Sequence, residues 1–211
     1  MSDLPVVVIG AGGHARVLVE ALLRAGTRIV GAIDPDGAAG RSLVITYLGG
    51  DDVLAEYPPS KVRLVNAVGS TGDASRRRGV FERFKNAGYT FASVIHPAAV
   101  VATSCQLAEG VQVMAGAVVQ PGTRIGANSL INTSASVDHD CVLGAHVHIA
   151  PGATLSGGVR VGDNAHIGTA ACVIQQVVVG EGAVIGAGAV VLADVDRDTK
   201  VAGVPARGIA R

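Results

Sequence analysis

The densest group of residues able to move a proton is the run Ser136, Val137, Asp138, His139, Asp140, with His146 and His148 close behind. Imidazole changes charge near neutral pH, and a carboxylate beside it orients the ring and fixes its tautomer. His139 has a carboxylate on either side, so Asp138 or Asp140 can hold it as a general base. A second group opens the chain, where Gly10, Ala11, Gly12, Gly13 and His14 follow an apolar run. Gly10, Gly12 and Ala15 satisfy G-x-G-x-x-[GA], and Asp34 lies about twenty residues on, as dinucleotide folds require. Bare N–H groups at such a turn bind any pyrophosphate, whether it belongs to a dinucleotide or to a nucleotide sugar.

Two kinds of scaffold must position these groups. Val6 to Ile9 reads as a buried strand, and Ala15 to Ala25 has the helical spacing of Val17, Leu18, Ala21 and Leu22. Strands over Ile29 to Ile33 and Val62 to Val68, with a helix from Ser75 to Ala87 burying Val80, Phe81 and Phe84, complete a small parallel α/β sheet. Arg76, Arg77 and Arg78 are expected on that helix's solvated face.

From Ile95 the period becomes six: every sixth residue to Val191 is Ile, Val or Leu, and a small or compact residue follows four places later, as at Ala99, Cys105, Ala135 and Cys141. Neither a helix nor a meander has that period. One large and one small inward residue per six fits a prism of short parallel strands, three sides to a coil, with coils ~4.8 Å apart. Residues eighteen apart then stack, which puts Gly157 on His139, His166 on His148 and Ala187 on Thr169. Gly157 leaves space and an N–H that can face a reacting carbonyl. The glycines after the aliphatic, at 126, 144, 162, 168, 180 and 186, are expected at corners that need positive φ.

Composition narrows the classes. The 211 residues are 49% hydrophobic with 17 basic and 17 acidic side chains, which excludes a disordered chain. A net charge of zero supplies no field for nucleic acid or a membrane surface, so neither is an expected partner. Three cysteines, spaced like no zinc motif, make no disulfide framework, and the expected compartment is the cytoplasm. The first residues lack the basic region and apolar length of a signal peptide.

Taken together, GAGGH, the [LIV]-G-x-x-[STAV]-x repeats, VDHDCVLG and the tail GVPAR resemble the bacterial nucleotide-amino-sugar N-acetyltransferases of the sialic acid and bacillosamine type. The resemblance implies a Rossmann-like α/β domain over 1–90 that holds the nucleotide sugar. It implies a left-handed parallel β-helix with a C-terminal cap over 91–211. Acetyl-CoA is the implied co-substrate, with no metal, and the acceptor is a nucleotide-linked amino sugar, acylated at a 4-amino group for surface glycans. Relatives assemble as homotrimers with sites between prisms.

By the same resemblance His139 is the general base and Asp140 its orienting partner. His148 lies near the acetyl group, with the Gly157 N–H on the thioester oxygen, and Thr169 and Ala187 contact the coenzyme arm through backbone atoms. Arg207 suits a coenzyme phosphate. Gly12, Gly13, His14, Asp34 and Gly69 contact the nucleotide sugar, although Pro35 separates Asp34 from Asp36 where many relatives carry two adjacent acids. His96, Cys105 and Cys141 are read as structural. Three other readings stay open: O-acetylation of a sialic acid or similar sugar, a zinc hydratase of the carbonic anhydrase type built on His148 and His166, and a nucleotide-binding oxidoreductase or sensor.

Overall fold

The computed structural model describes residues 4–37 and 43–209. Its first part is a parallel four-stranded sheet of β1 (Val6–Ile9), β2 (Ile29–Ile33), β3 (Tyr47–Gly49) and β4 (Arg63–Asn66), in the order β3-β2-β1-β4. All of β1 is buried because both sheet faces are covered, which is why it reads as an unbroken apolar run. Helix α1 (Gly13–Arg24) covers one face with Leu18, Val19 and Leu22, and helix α2 (Ser75–Asn86) covers the other with Phe81 and Phe84. The strand β3 was not foreseen, since three residues are too few to show a period.

Helix α1 has a second partner. Its buried side chains share one apolar cluster with Val94, Met114 and Leu130 of the coils, so the α/β domain sits directly on one face of the prism. That docking creates the cleft described below.

The prism is a left-handed β-helix of seventeen two-residue strands from Val94–Ile95 to Val190–Val191. Each of the first fourteen pairs in parallel with the strand eighteen residues on, as in Leu130 with His148 and His148 with His166. The first face carries Val94, Gln112, Leu130, His148, His166 and Val184. The second carries Val118, Ser136, Thr154 and Cys172, and the third Arg124, Val142 and Arg160. From Val101 on, the hexad aliphatics and the small residues four places later fill the interior as one continuous cluster, with Ile149 and Ile167 fully buried; Ile95, at the open first coil, is exposed.

The corner glycines correct one expectation. Positive φ falls three residues after the aliphatic, at Gly110, Gly116 and Gly122 and also at Asn128, Asp140 and His146. Gly126, Gly144 and Gly168 are not in that region, and what they need is space. A Cβ on Gly168 would lie 2.5 Å from the Ile185 carbonyl oxygen and 2.7 Å from the Ala187 nitrogen. Glycine there lets one coil rest on the next. At the far end Lys200–Ala202 extends the first face and Arg207–Gly208 folds back antiparallel on it, covering an otherwise open edge.

Candidate active site

A cleft of about 890 Å³ separates the Gly69–Asp73 loop and Arg76 of α2 from the first face of the prism and its corner. Five of the expected residues, His14, Gly69, His148, Thr169 and Ala187, line it. Ser70, Asn132 and His166 line it as well, and of these only His166 had been singled out, as a stacking partner. The N–H groups of Thr169 and Ala187 have no protein acceptor among the described residues, whereas the next corner amides, of Ala170 and Gly188, donate to the preceding coil. Those of Thr169 and Ala187 are free for a ligand carbonyl.

The ring of His148 is held at both nitrogens. Nδ1 lies 3.0 Å from the Ser70 carbonyl oxygen and 3.1 Å from its Oγ. A carbonyl only accepts, so the proton is on Nδ1. Nε2 then accepts from Asn132 Nδ2 at 3.1 Å, an amide oriented by the Thr133 N–H on its oxygen at 2.8 Å. Burial, followed by the neighbouring His166 and Arg77, pushes His148 down to about 3. It is therefore neutral at physiological pH, with no lone pair left for a metal, although His166 stacks edge-on at 4.9 Å between ring centroids. Among the described residues no three or more His, Cys, Asp or Glu side chains group so as to hold a metal ion.

His139 stands elsewhere, at the corner between the second and third faces. Its Nδ1 lies 2.9 Å from Asp140 Oδ2, and its backbone N–H donates to Asp138 Oδ1 at 2.7 Å. With Nδ1–H given to Asp140, Nε2 is the basic atom. The Asp140 hydrogen bond, then the Asp138 charge, raises His139 above its ordinary value. The ring leans over the next coil: a Cβ on Gly157 would lie 2.6 Å from Nε2, so only glycine leaves it this space. Among the described residues the Gly157 N–H has no acceptor, so it is available beside that nitrogen.

Within one chain the expected residues thus form two separate groups. His139, Asp140 and Gly157 share one corner, whereas His14, Gly69, His148, Thr169 and Ala187 share the cleft. His148 and Gly157 do not jointly face one point in a single chain, because their positions in the hexad lie on different sides of the prism.

Other expectations shift. Asp34 accepts from the Ala11 N–H at 2.7 Å and the Asp36 N–H at 2.9 Å, so its carboxylate pins the glycine-rich loop while lining a second cavity of about 360 Å³. Arg76 lines both cavities. Gly12 and Gly13 are exposed at the start of α1 and line neither cavity. Arg207 is exposed, outside both cavities, and donates to its neighbour's carbonyl, on Ala206. Arg77 is the clearest correction: it is 2% exposed, not solvated, because α2 is wedged between sheet and prism. Its Nη1 donates to the carbonyls of Asn66 and Val68, both at 2.9 Å, and its Nε to that of Asn128 at 3.2 Å.

Comparisons with known proteins agree with this architecture. Residues 5–84 match the family described as PglD N-terminal domain, and residues 122–157 match bacterial transferase hexapeptide (six repeats). The acetyltransferase domain of PglB from Neisseria gonorrhoeae is 39% identical, with 97% of this chain and 99% of that one covered and a TM-score of 0.88. PerB from Caulobacter crescentus, solved with CoA and GDP-perosamine, is 38% identical over 98% of this chain and 97% of that one, with a TM-score of 0.90. WeeI from Acinetobacter baumannii is 25% identical over 98% of this chain and 100% of that one, with a TM-score of 0.88. A comparison with curated proteins gave no match.

Proposed function

From the premise that the chain belongs to the hexapeptide-repeat sugar N-acetyltransferases, acetyl-CoA-dependent enzymes of nucleotide-linked amino sugars, we propose where and how it performs that transfer. The acceptor is a 4-amino group of a nucleotide-linked deoxysugar destined for a surface glycan. The reaction runs at a seam between two copies of the chain in a homotrimer. The observation that carries this reading is the division of the machinery between two sides of the prism, with His139 on one corner and the cleft on another.

At the seam His139 of one subunit reaches the cleft of its neighbour. The sugar amine attacks the thioester carbonyl, Nε2 of His139 takes the amine proton, and as the C–S bond breaks the imidazolium returns that proton to sulfur, so coenzyme A leaves as its thiol. Asp140 holds the ring and stabilises the imidazolium formed. The Gly157 N–H, on the same corner, donates to the developing oxyanion. An amine is nucleophilic once neutral, so positioning and proton removal suffice without a covalent acyl-enzyme. The neutral His148, with its Nδ1–H donated to the Ser70 carbonyl, shapes the cleft wall instead of supplying a charge. The N–H groups of Thr169 and Ala187 hold the coenzyme arm. The compartment is the cytoplasm, whose reducing conditions suit three free cysteines. Among the described residues no helix is long and apolar enough to cross a membrane.

The test of the reaction is release of coenzyme A thiol from acetyl-CoA with UDP-, GDP- and dTDP-linked 4-amino and 3-amino sugars, sialic acids included. Turnover on a 4-amino sugar is expected, and activity confined to a hydroxyl sugar replaces the reading with O-acetylation. The seam is tested by mixing two inactive chains, His139→Ala and Ala187→Trp, the second of which blocks an exposed cleft position. An equimolar, randomly reassembled mixture regains about a quarter of the wild-type rate if the seam is shared between chains, and none if each chain works alone.

A further inference from the structure

His14 and Gln112 meet where the two domains join, with His14 Nε2 2.9 Å from Gln112 Oε1. The far end of the Gln112 amide decides its orientation. Gln112 Nε2 lies 2.7 Å from the Asn66 carbonyl oxygen, which can only accept, so the amide nitrogen faces Asn66 and the amide oxygen faces His14. Gln112 is fully buried, so no water substitutes for either partner. An amide oxygen only accepts, and His14 must therefore carry its proton on Nε2. Nδ1 is left as a lone pair on a side chain that lines the cleft, and among the described residues it has no hydrogen-bond partner.

We infer that Gln112 is a positioning residue that holds His14 as a hydrogen-bond acceptor toward the cleft, so that this point takes an N–H or O–H of the sugar and rejects a phosphate oxygen. The inference rests on the nucleotide-amino-sugar reading and adds to it which end of the substrate His14 meets. Burial, with the Arg77 charge second, pushes His14 down to about 4, so the imidazolium that would donate to a phosphate does not form at neutral pH. The same lock is absent from His148, whose two nitrogens are both taken by protein groups. Gln112 belongs to no motif; it occupies the first residue of a two-residue strand, and only the docking of α1 brings His14 to it.

The experiment uses full-length protein with ¹⁵N-labelled histidine and long-range ¹H–¹⁵N correlation, together with steady-state kinetics. Wild type is expected to show His14 in the Nε2–H form at pH 7. Gln112→Met keeps the volume and strands no acceptor, because the Asn66 oxygen retains Arg77 Nη1. It should give mixed His14 tautomers and raise KM for the amino sugar about tenfold, leaving KM for acetyl-CoA unchanged. Gln112→Glu keeps an acceptor but draws a second proton onto the ring, turning Nδ1 into a donor, and its sugar KM should rise at least as far. An Nδ1–H form in wild type, or a Gln112→Met sugar KM within twofold of wild type, overturns the inference. The spectrum needs no turnover, so an enzyme silent on every amino sugar defeats the functional reading separately.

Discussion

Gly157→Ala separates catalytic geometry from stability. The added Cβ would lie 2.6 Å from His139 Nε2, whereas real contacts closer than about 3.4 Å are uncommon, so the ring must retreat by about 0.8 Å. That motion can take Nδ1 from 2.9 Å to about 3.7 Å from Asp140 Oδ2, beyond hydrogen-bonding range. A misplacement of that size in a proton-transfer group costs about 10- to 100-fold in kcat. Stability should hardly change. The side chain of His139 is 63% exposed and free to swing, Gly157 is not left-handed, and replacing glycine at a compatible site gains roughly 0.4–1 kcal/mol through the unfolded chain. Gly168→Ala is the control, because its Cβ meets backbone at 2.5–2.8 Å that cannot swing aside, and overpacking there should cost about 3 kcal/mol or more. Coenzyme A release measures kcat and calorimetry measures Tm. A Gly157→Ala enzyme with kcat within twofold of wild type, or one as destabilised as Gly168→Ala, would refute the reasoning.

His139→Ala should fold normally and lose about 10²- to 10⁴-fold in kcat, and retention of most turnover would remove it as the base. The base must be neutral, and Asp140 and Asp138 raise its pKa, so kcat/KM should fall as pH drops through a value above 6.5; Asp140→Asn should move that limb down, and an unmoved limb speaks against the pair. His148 and His14 titrate at about 3 and about 4 in the fold but near 6.5 when unfolded, so their contribution is complete above pH 6.5 and lost as pH falls. At pH 5 each should cost about 2 kcal/mol, read as a lower urea midpoint than at pH 7.5; equal midpoints would contradict their burial as neutral rings. Ile149→Asp puts an unpaired charge at a fully buried position and should abolish folding at 37 °C, an expectation that a cooperative melt near the wild-type Tm would sink.

Much of this molecule is legible in its sequence because its order is local and repetitive. A period of six, with one large and one small inward residue, dictates a prism by itself: each coil buries its side chains against the same positions eighteen residues away. The strand Ile29–Ile33 and the pairing of His139 with Asp140 follow in the same way, since each depends only on near neighbours. The glycines after each hexad aliphatic were legible as a pattern but not as a cause, because close approach between coils and positive φ favour the same residue. Docking of the α/β domain on the first face was beyond the pattern. It buries Arg77 among carbonyls 9, 11 and 51 residues distant, turns Ser70 onto His148, and brings His14 across 98 residues to Gln112. Which atom of a histidine holds its proton is decided by partners such as these. Sequence names the histidines, their spacing along the coil and the side of the prism each occupies; only the packing of one domain on another assigns the tautomers of His14 and His148.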